Sequence, residues 1–168
     1  MKHTLTVAAI ALILSACAGG NSAVTVDDVT FDIDDIPIET ESATVDLEVF
    51  RDALNWVVRD QVLMSAASEE FGISFPEAEL AELASSGLAS LTPAAQQDPR
   101  ANLDYFLIQA RVGRFMLEGL LWPELESRLP EGVSPSQWAV EKLTAAEVDV
   151  DARFGEWRVS PDPRVYEP

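Results

Sequence analysis

The chain has one histidine, His3, and one cysteine, Cys17, among its 168 residues. Everything after Cys17 lacks both residue types. That segment cannot assemble a Ser–His or Cys–His nucleophile, a histidine zinc site, or a haem ligated by histidine or thiolate. No disulfide can form within the chain. Positive charge is also scarce, with 11 Lys and Arg against 29 Asp and Glu and a formal net charge of −18. A surface of that sign is repelled by nucleic-acid phosphates and by anionic lipid head groups, so nucleic acid is not an expected partner. The 8 glycines are scattered, and none precedes a Lys-Ser or Lys-Thr pair, so no phosphate-cradling loop is present.

What is present begins with a leader. Met1-Lys2-His3 is followed by the apolar run Leu5 to Leu14 and then Leu14-Ser15-Ala16-Cys17. The run is too short to cross a bilayer as a permanent helix, which takes about 20 residues. A basic start, a short apolar stretch and small residues before a cleavage point read as a secretory signal. The Leu-Ser-Ala-Cys ending resembles the bacterial lipobox. That resemblance implies residues 1–16 as a lipoprotein signal peptide and Cys17 as the lipidated N-terminus, with diacylglycerol on sulfur and an acyl chain such as palmitate on the amine. Several acyl chains anchor a protein stably where one does so marginally. The expected address is therefore the extracytoplasmic face of the cell membrane, reached through lipid, with residues 17–22 as the lipidated cysteine and a flexible tether.

Beyond the tether, Val24 and Val26, then Val29, Phe31 and Ile33, alternate with polar residues, which predicts strand, with Asp27-Asp28 as a turn or bulge. Residues 37–46 read as a loop. Leu47, Phe50, Leu54, Val57, Val58 and Met64 fall on one broad helical face, leaving Arg51, Asp52, Arg59 and Asp60 mostly off it. Asp46 is a cap for that helix and Gly72 its stop. A second helix starts at Pro76-Glu77 and carries the stripe Leu80, Leu83, Ala84, Gly87, Leu88 and Leu91. A third is expected from about Asp98-Pro99 to Trp122, on the stripe Leu103, Phe106, Leu107, Ala110, Leu117, Leu120 and Leu121. Gly113 sits on that stripe, where it would admit a neighbouring helix. Pro123 should break the run before a short turn of helix. Ser134-Pro135-Ser136-Gln137 is a capping-box start for a further helix. Val148 to Asp151 and Arg153 to Trp157 return to strand pattern, and residues 159–168 read as an irregular tail. The predicted fold is mainly α (α+β). It is a bundle of about four to five helices closed by a short two-stranded antiparallel ribbon joining the N- and C-terminal ends of the domain, residues 23–158.

The leader, the early strand, the long helix ending Phe71-Gly72-Ile73, the Pro-Glu helix start and a closing strand containing Val148, Val150, Arg153, Phe154, Gly155 and Trp157 together resemble the SurA N-terminal-like family of extracytoplasmic foldases. The likeness spans about residues 24–158. Asp151-Ala152 stands where that family more often has Asn-Pro, Phe154 where Tyr is common, and Asp27-Asp28 where Asn-Gly is frequent. The resemblance implies a chaperone-like module that binds unfolded or secreted polypeptides without covalent chemistry. The chain has no room for a parvulin domain beyond its helices, so prolyl-isomerase activity is not expected.

Five aromatic residues, Trp56, Phe106, Phe115, Trp122 and Trp138, are the candidates to line a client groove, with core packing as the competing reading for each. Arg153 and Trp157 are expected to fix the closing strand. The acidic run Asp27, Asp28, Asp32, Asp34 and Asp35 lacks the spacing of a calcium loop, and a solvated acidic strand is the expected reading. No metal, no other cofactor and no catalytic residue is expected. Two other functional classes stay open: an accessory lipoprotein docking one folded envelope partner, and a hydrolase built on paired carboxylates.

Overall fold

The computed structural model describes residues 20–39, 46–113, 119–160 and 162–167. The leader, Cys17 and Phe115 lie outside the described residues. Ten regular elements run in the order β1 (Ser22–Val26), β2 (Val29–Asp32), α1 (Leu47–Phe71), α2 (Glu77–Ala89), α3 (Leu103–Val112), α4 (Leu121–Arg128), α5 (Pro135–Ala145), β3 (Val148–Val150), β4 (Glu156–Arg158) and β5 (Arg164–Tyr166). The mainly α, α+β reading stands.

The ends of the chain pair, as expected, but through two small sheets. β1 is the centre of a three-stranded antiparallel sheet ordered β2-β1-β3, with Val24 opposite Val150 and Val26 opposite Val148. Asp27 and Asp28 form the tight turn of the β1–β2 hairpin, at φ 44° and 72°. Two consecutive positive φ values are what a type I′ turn requires, and Asp tolerates them. Asp27 also holds β3 in place: its N–H donates to Glu147 O (2.9 Å), and its Oδ1 accepts from Glu147 N (2.8 Å).

The tail departs from the expected irregular segment. Arg164–Tyr166 is a strand paired with β4, and Val165 is buried in the main core. Its N–H donates to Asn55 Oδ1 on α1 (2.6 Å). Gly155 makes the pairing possible. It sits at φ 148°, and a Cβ there would stand 2.2 Å from Tyr166 O.

α1 is the central helix, in contact with β1, α3, α4, α5 and β5. Asp46 caps its start by accepting from Glu48 N (2.8 Å), and Gly72 ends it at φ 65°. The polar face that reads as solvent-facing is largely covered. Arg51 donates to Phe154 O (2.6 Å) and pairs with Glu167, and Arg59 points at Pro163 O at 3.5 Å. The C-terminal strands therefore lie on charged positions of α1. They satisfy those positions with backbone carbonyls, which a hydropathy pattern does not register.

The third helix also departs from expectation. α3 stops at Val112, and Gly113 is extended at ψ 146°. A Cβ on Gly113 would lie 2.3 Å from Gln109 O of its own helix, so this glycine serves a helix stop rather than a helix–helix contact. Leu121–Arg128 is a separate helix with Pro123 in its first turn, where a missing N–H costs no hydrogen bond. The capping box at Ser134 and Gln137 is formed.

Most buried side chains belong to one core, which includes Leu54, Val58 and Leu63 of α1 with Val24, Leu121, Leu125 and Leu143. A second, smaller core joins α2 to α3 through Leu80, Ala84, Phe106 and Ala110. α2 packs chiefly on α3.

Candidate functional site

Two hollows open on either flank of the α1–α3 seam. The first is a groove with two lobes. One lobe, of about 710 Å³, lies between the segment 30–39, α1 and α3, and has Phe31, Ile38 and Leu107 among its apolar lining. The other, of about 520 Å³, runs towards the start of α2 past Met64, Ile73, Phe75 and Leu80. Asp60, Gln61 and Arg111 line both lobes. The groove follows α1 from Val57 to Glu69, a rise of about 18 Å at 1.5 Å per residue. An extended polypeptide of about five residues spans that length.

Asp60 and Arg111 cross the groove as a bidentate pair, with Nε to Oδ1 at 2.7 Å and Nη2 to Oδ2 at 2.6 Å. The Asp60 side chain is only 17% exposed. Burial pushes its carboxyl above the ordinary range, and the hydrogen bonds and charge of Arg111 act against that push. Both Asp60 oxygens are engaged, which is not the arrangement of a carboxylate poised to deprotonate water. Asp34, Asp35, Glu39 and Asp104 add negative charge to the rim of the larger lobe.

The second hollow is an apolar cup of about 390 Å³ on the other flank, walled by Trp56, Leu91, Tyr105 and Phe106. Gln109 also lines it, at 5% exposure, and is the buried polar residue of the described core. An ion-paired rim closes one side. Arg100 grips Asp98 through Nε (2.9 Å) and Nη2 (2.7 Å), and reaches Asp52 through Nη1 (2.7 Å). The Tyr105 hydroxyl donates to the same Asp52 Oδ2 at 3.2 Å. The hydrogen bonds from Arg100 hold Asp98 down to about 2, so it is ionised at neutral pH. Burial, with the Asp52 charge behind it, pushes the Tyr105 phenol upward, so it remains a neutral donor.

Of the residues expected to contact a client, Trp56 and Phe106 meet in this cup. Trp138 does not belong to it. That indole is 4% exposed, lies 6.0 Å from the Phe71 ring and donates to Glu70 Oε2 at 2.8 Å, so it is a core residue. Trp122 is half-buried and donates through Nε1 to Val112 O at 3.1 Å, which occupies a carbonyl at the end of α3. Phe115 and Cys17 lie outside the described residues. Tyr105, Leu91, Gln109 and the Asp60–Arg111 pair were not anticipated. Gln109 carried no sequence signal, because it stands to the side of the apolar stripe Leu103, Phe106, Leu107 and Ala110.

Of the closing-strand residues, Arg153 has structural partners, as expected, whereas Trp157 Nε1 is buried with no hydrogen-bond partner among the described residues. The Arg153 guanidinium binds Asp151 and the carbonyls of Gly20 and Ser22, while Phe154 stacks 4.4 Å from Phe50. In the acidic run, Asp32 and Asp35 cap the short turn that follows β2. Among the described residues, no three acidic, histidine or cysteine side chains converge to hold a metal ion. Among the same residues, no helix is long and apolar enough to cross a membrane. Comparison of the chain with family models, with curated proteins and with solved structures finds no match.

Proposed function

We propose that this chain is a lipoprotein anchored through Cys17 on the extracytoplasmic face of the membrane, and that its helical body is a SurA-like chaperone module for unfolded or secreted polypeptides. The observation that carries this reading is the two-lobed groove along α1. It is long enough for a short extended segment. It combines adaptable apolar surface, Met64 and Phe75 among it, with polar side chains such as Gln61. The mechanism is reversible burial of client side chains, with no bond made or broken and no prolyl-isomerase step. The exposed large apolar side chains Val29, Leu103, Val133, Val140 and Val159 sit at scattered places along the chain.

The test uses the processed lipoprotein in vesicles with a reduced, unfolded client. The protein lowers the client's light scattering, and the Met64→Glu, Phe75→Glu double variant loses most of that effect while keeping its helical circular dichroism. Scattering that is the same with and without the wild-type protein sinks the proposal. Independently, Cys17→Ser releases the protein from the membrane fraction.

A further inference from the structure

We propose that the free edge of β2 and the larger lobe beside it form a docking site for an extended polypeptide segment with arginine or lysine at alternate positions, which joins the sheet as a further strand. The proposal rests on the polypeptide-binding reading and names the kind of segment that the groove takes.

The backbone supplies one half of the argument. β2 pairs with β1 alone, so its other side is a sheet edge, and Val29, Thr30 and Asp32 are exposed along it. Val26 and Val29 flank the two-residue turn and form the hydrogen-bonded pair that closes the hairpin. In an antiparallel ladder the next pair, Thr25 with Thr30, is not bonded across, so the Thr30 N–H and C=O point away from β1. Among the described residues, neither group bonds to another segment of the chain. Unpaired edge groups of this kind are a template for an added strand.

The side chains supply the other half. Thr25 and Thr30 share one face of the hairpin, with their hydroxyls 3.1 Å apart, so Val29 and Phe31 lie on the opposite face with the buried Val24 and Val26. Phe31 carries that face into the larger lobe. A strand added at Thr30 sets the residue opposite Thr30 on the far face and its two neighbours over the lobe, about 7 Å apart, since side chains alternate. Below them lie Phe31, Ile38 and Leu107, with carboxylates at the margin. Asp60 is neutralised by Arg111, but Asp34, Asp35, Glu39 and Asp104 are exposed and have no cationic partner among the described residues. Lysine and arginine suit both surfaces, because the stem covers apolar lining while the charged head reaches the carboxylates. A glutamate in the same place meets only like charge. A second copy of this chain is disfavoured for the same reason, since its own β2 brings Asp27, Asp28 and Asp32 against these residues.

The experiment is calorimetric titration of the processed, full-length lipoprotein in nanodiscs of phosphatidylcholine, which carries no net charge to attract the probes. The probes are capped peptides, Gly-Thr-X-Thr-X-Thr-Gly, with X as Arg, Gln, Leu or Glu, together with the Arg peptide methylated on the nitrogen of its central Thr. The Arg peptide binds about tenfold more tightly than the Gln and Leu peptides at low ionic strength, and the gap narrows as salt is raised. The Glu peptide binds least. N-methylation removes the donor that reaches Thr30 O, and weakens the Arg peptide about tenfold without altering its charge. In the Glu39→Gln, Asp104→Asn double variant the advantage of Arg over Gln falls to about threefold or less. The Gln peptide binds that variant as before, a pattern that a damaged fold does not produce. As a readout free of any variant, the Thr30 backbone amide resonance shifts on adding the Arg peptide. Equal affinity for the Arg and Gln peptides in the wild type overturns the proposal. So does an N-methylated peptide that binds as well as its parent, or a double variant with an unchanged Arg advantage. A Thr30→Cys protein that forms disulfide dimers in vesicles, and is not protected from doing so by the Arg peptide, makes a second copy the occupant and overturns it too. If any of these occurs while the vesicle assay still shows suppressed client aggregation, the broader reading survives. Absence of any peptide binding together with unaltered client scattering ends both.

Discussion

The two cores of this protein differ in size and in what surrounds them. The main core is built round α1 and is sealed by elements from both ends of the chain: β1, α4, α5 and β5. The satellite core between α2 and α3 has four buried residues. Both hollows border the satellite. Leu80 and Phe75 reach the groove, and Leu91, Tyr105 and Phe106 reach the cup. A small core cannot cover its own margin, so apolar side chains there stay half-buried and available. The same shortage of contacts predicts that α2 opens locally more easily than α1. Rigidity and adaptable surface are thus assigned to different cores of one domain.

Four changes break or sharpen that contrast. The largest effect is expected in the main core. Leu63→Ala empties space among α1 contacts that are 2% exposed, and costs about 3 kcal/mol or more. In native-state hydrogen exchange, protection falls in α1, β1 and α5 together. Leu80→Ala costs about 2 kcal/mol, at the low end for such a truncation. Its effect is confined: α2 amides exchange faster, while those at Val58 and Leu63 keep their protection. If Leu80→Ala instead lowers protection throughout, the two cores are one cooperative unit and the contrast is wrong.

Gly72→Ala tests the joint between them. A Cβ at Gly72 would meet nothing within 4 Å, so the penalty is purely that of a side chain at φ 65°. That is about 1 kcal/mol in thermal unfolding, with no change in peptide affinity.

The smallest effect is acid-dependent and separates the two flanks. Asp98, beside the cup, has a folded-state value near 2, below its ordinary 3.8. Its contribution is present above pH 4 and is lost as pH falls from 4 towards 2. Because Asp98 is 37% exposed, that contribution is about 0.5 kcal/mol, and Asp98→Asn removes it. Asp60, in the groove, is shifted the other way, so its contribution declines as pH rises through its raised value. A carbon-detected titration of the two carboxyls should show Asp98 ionising at lower pH than Asp60. The reverse order would contradict the burial and pairing described for both flanks.

Local signals were legible where the physics is local. Asp46 before α1, Gly72 after it, the Ser134–Gln137 capping box and the alternation of β1 all concern groups within a few residues of one another. The end of α3 was not legible, because the apolar stripe continues in register past Gly113 while the backbone turns away. β5 was hidden for a different reason. Four residues between Pro163 and Pro168 make no strand pattern, and Val165 becomes a strand residue only because β4 and Asn55 supply its partners. In the candidate site, aromatic content pointed to Trp56 and Phe106. It could not distinguish them from Trp138, since the same residue type serves a core and a cup equally well.

Composition alone ruled out histidine and disulfide chemistry beyond the leader, and chain-local patterns were enough to place most helices and the first hairpin. Which charged residues of α1 are covered and which aromatics face a hollow were decided only when distant segments packed. Those outcomes depend on contacts such as Asp60 with Arg111 and Asp52 with Arg100, 51 and 48 residues apart, whose energies exist only in the assembled fold.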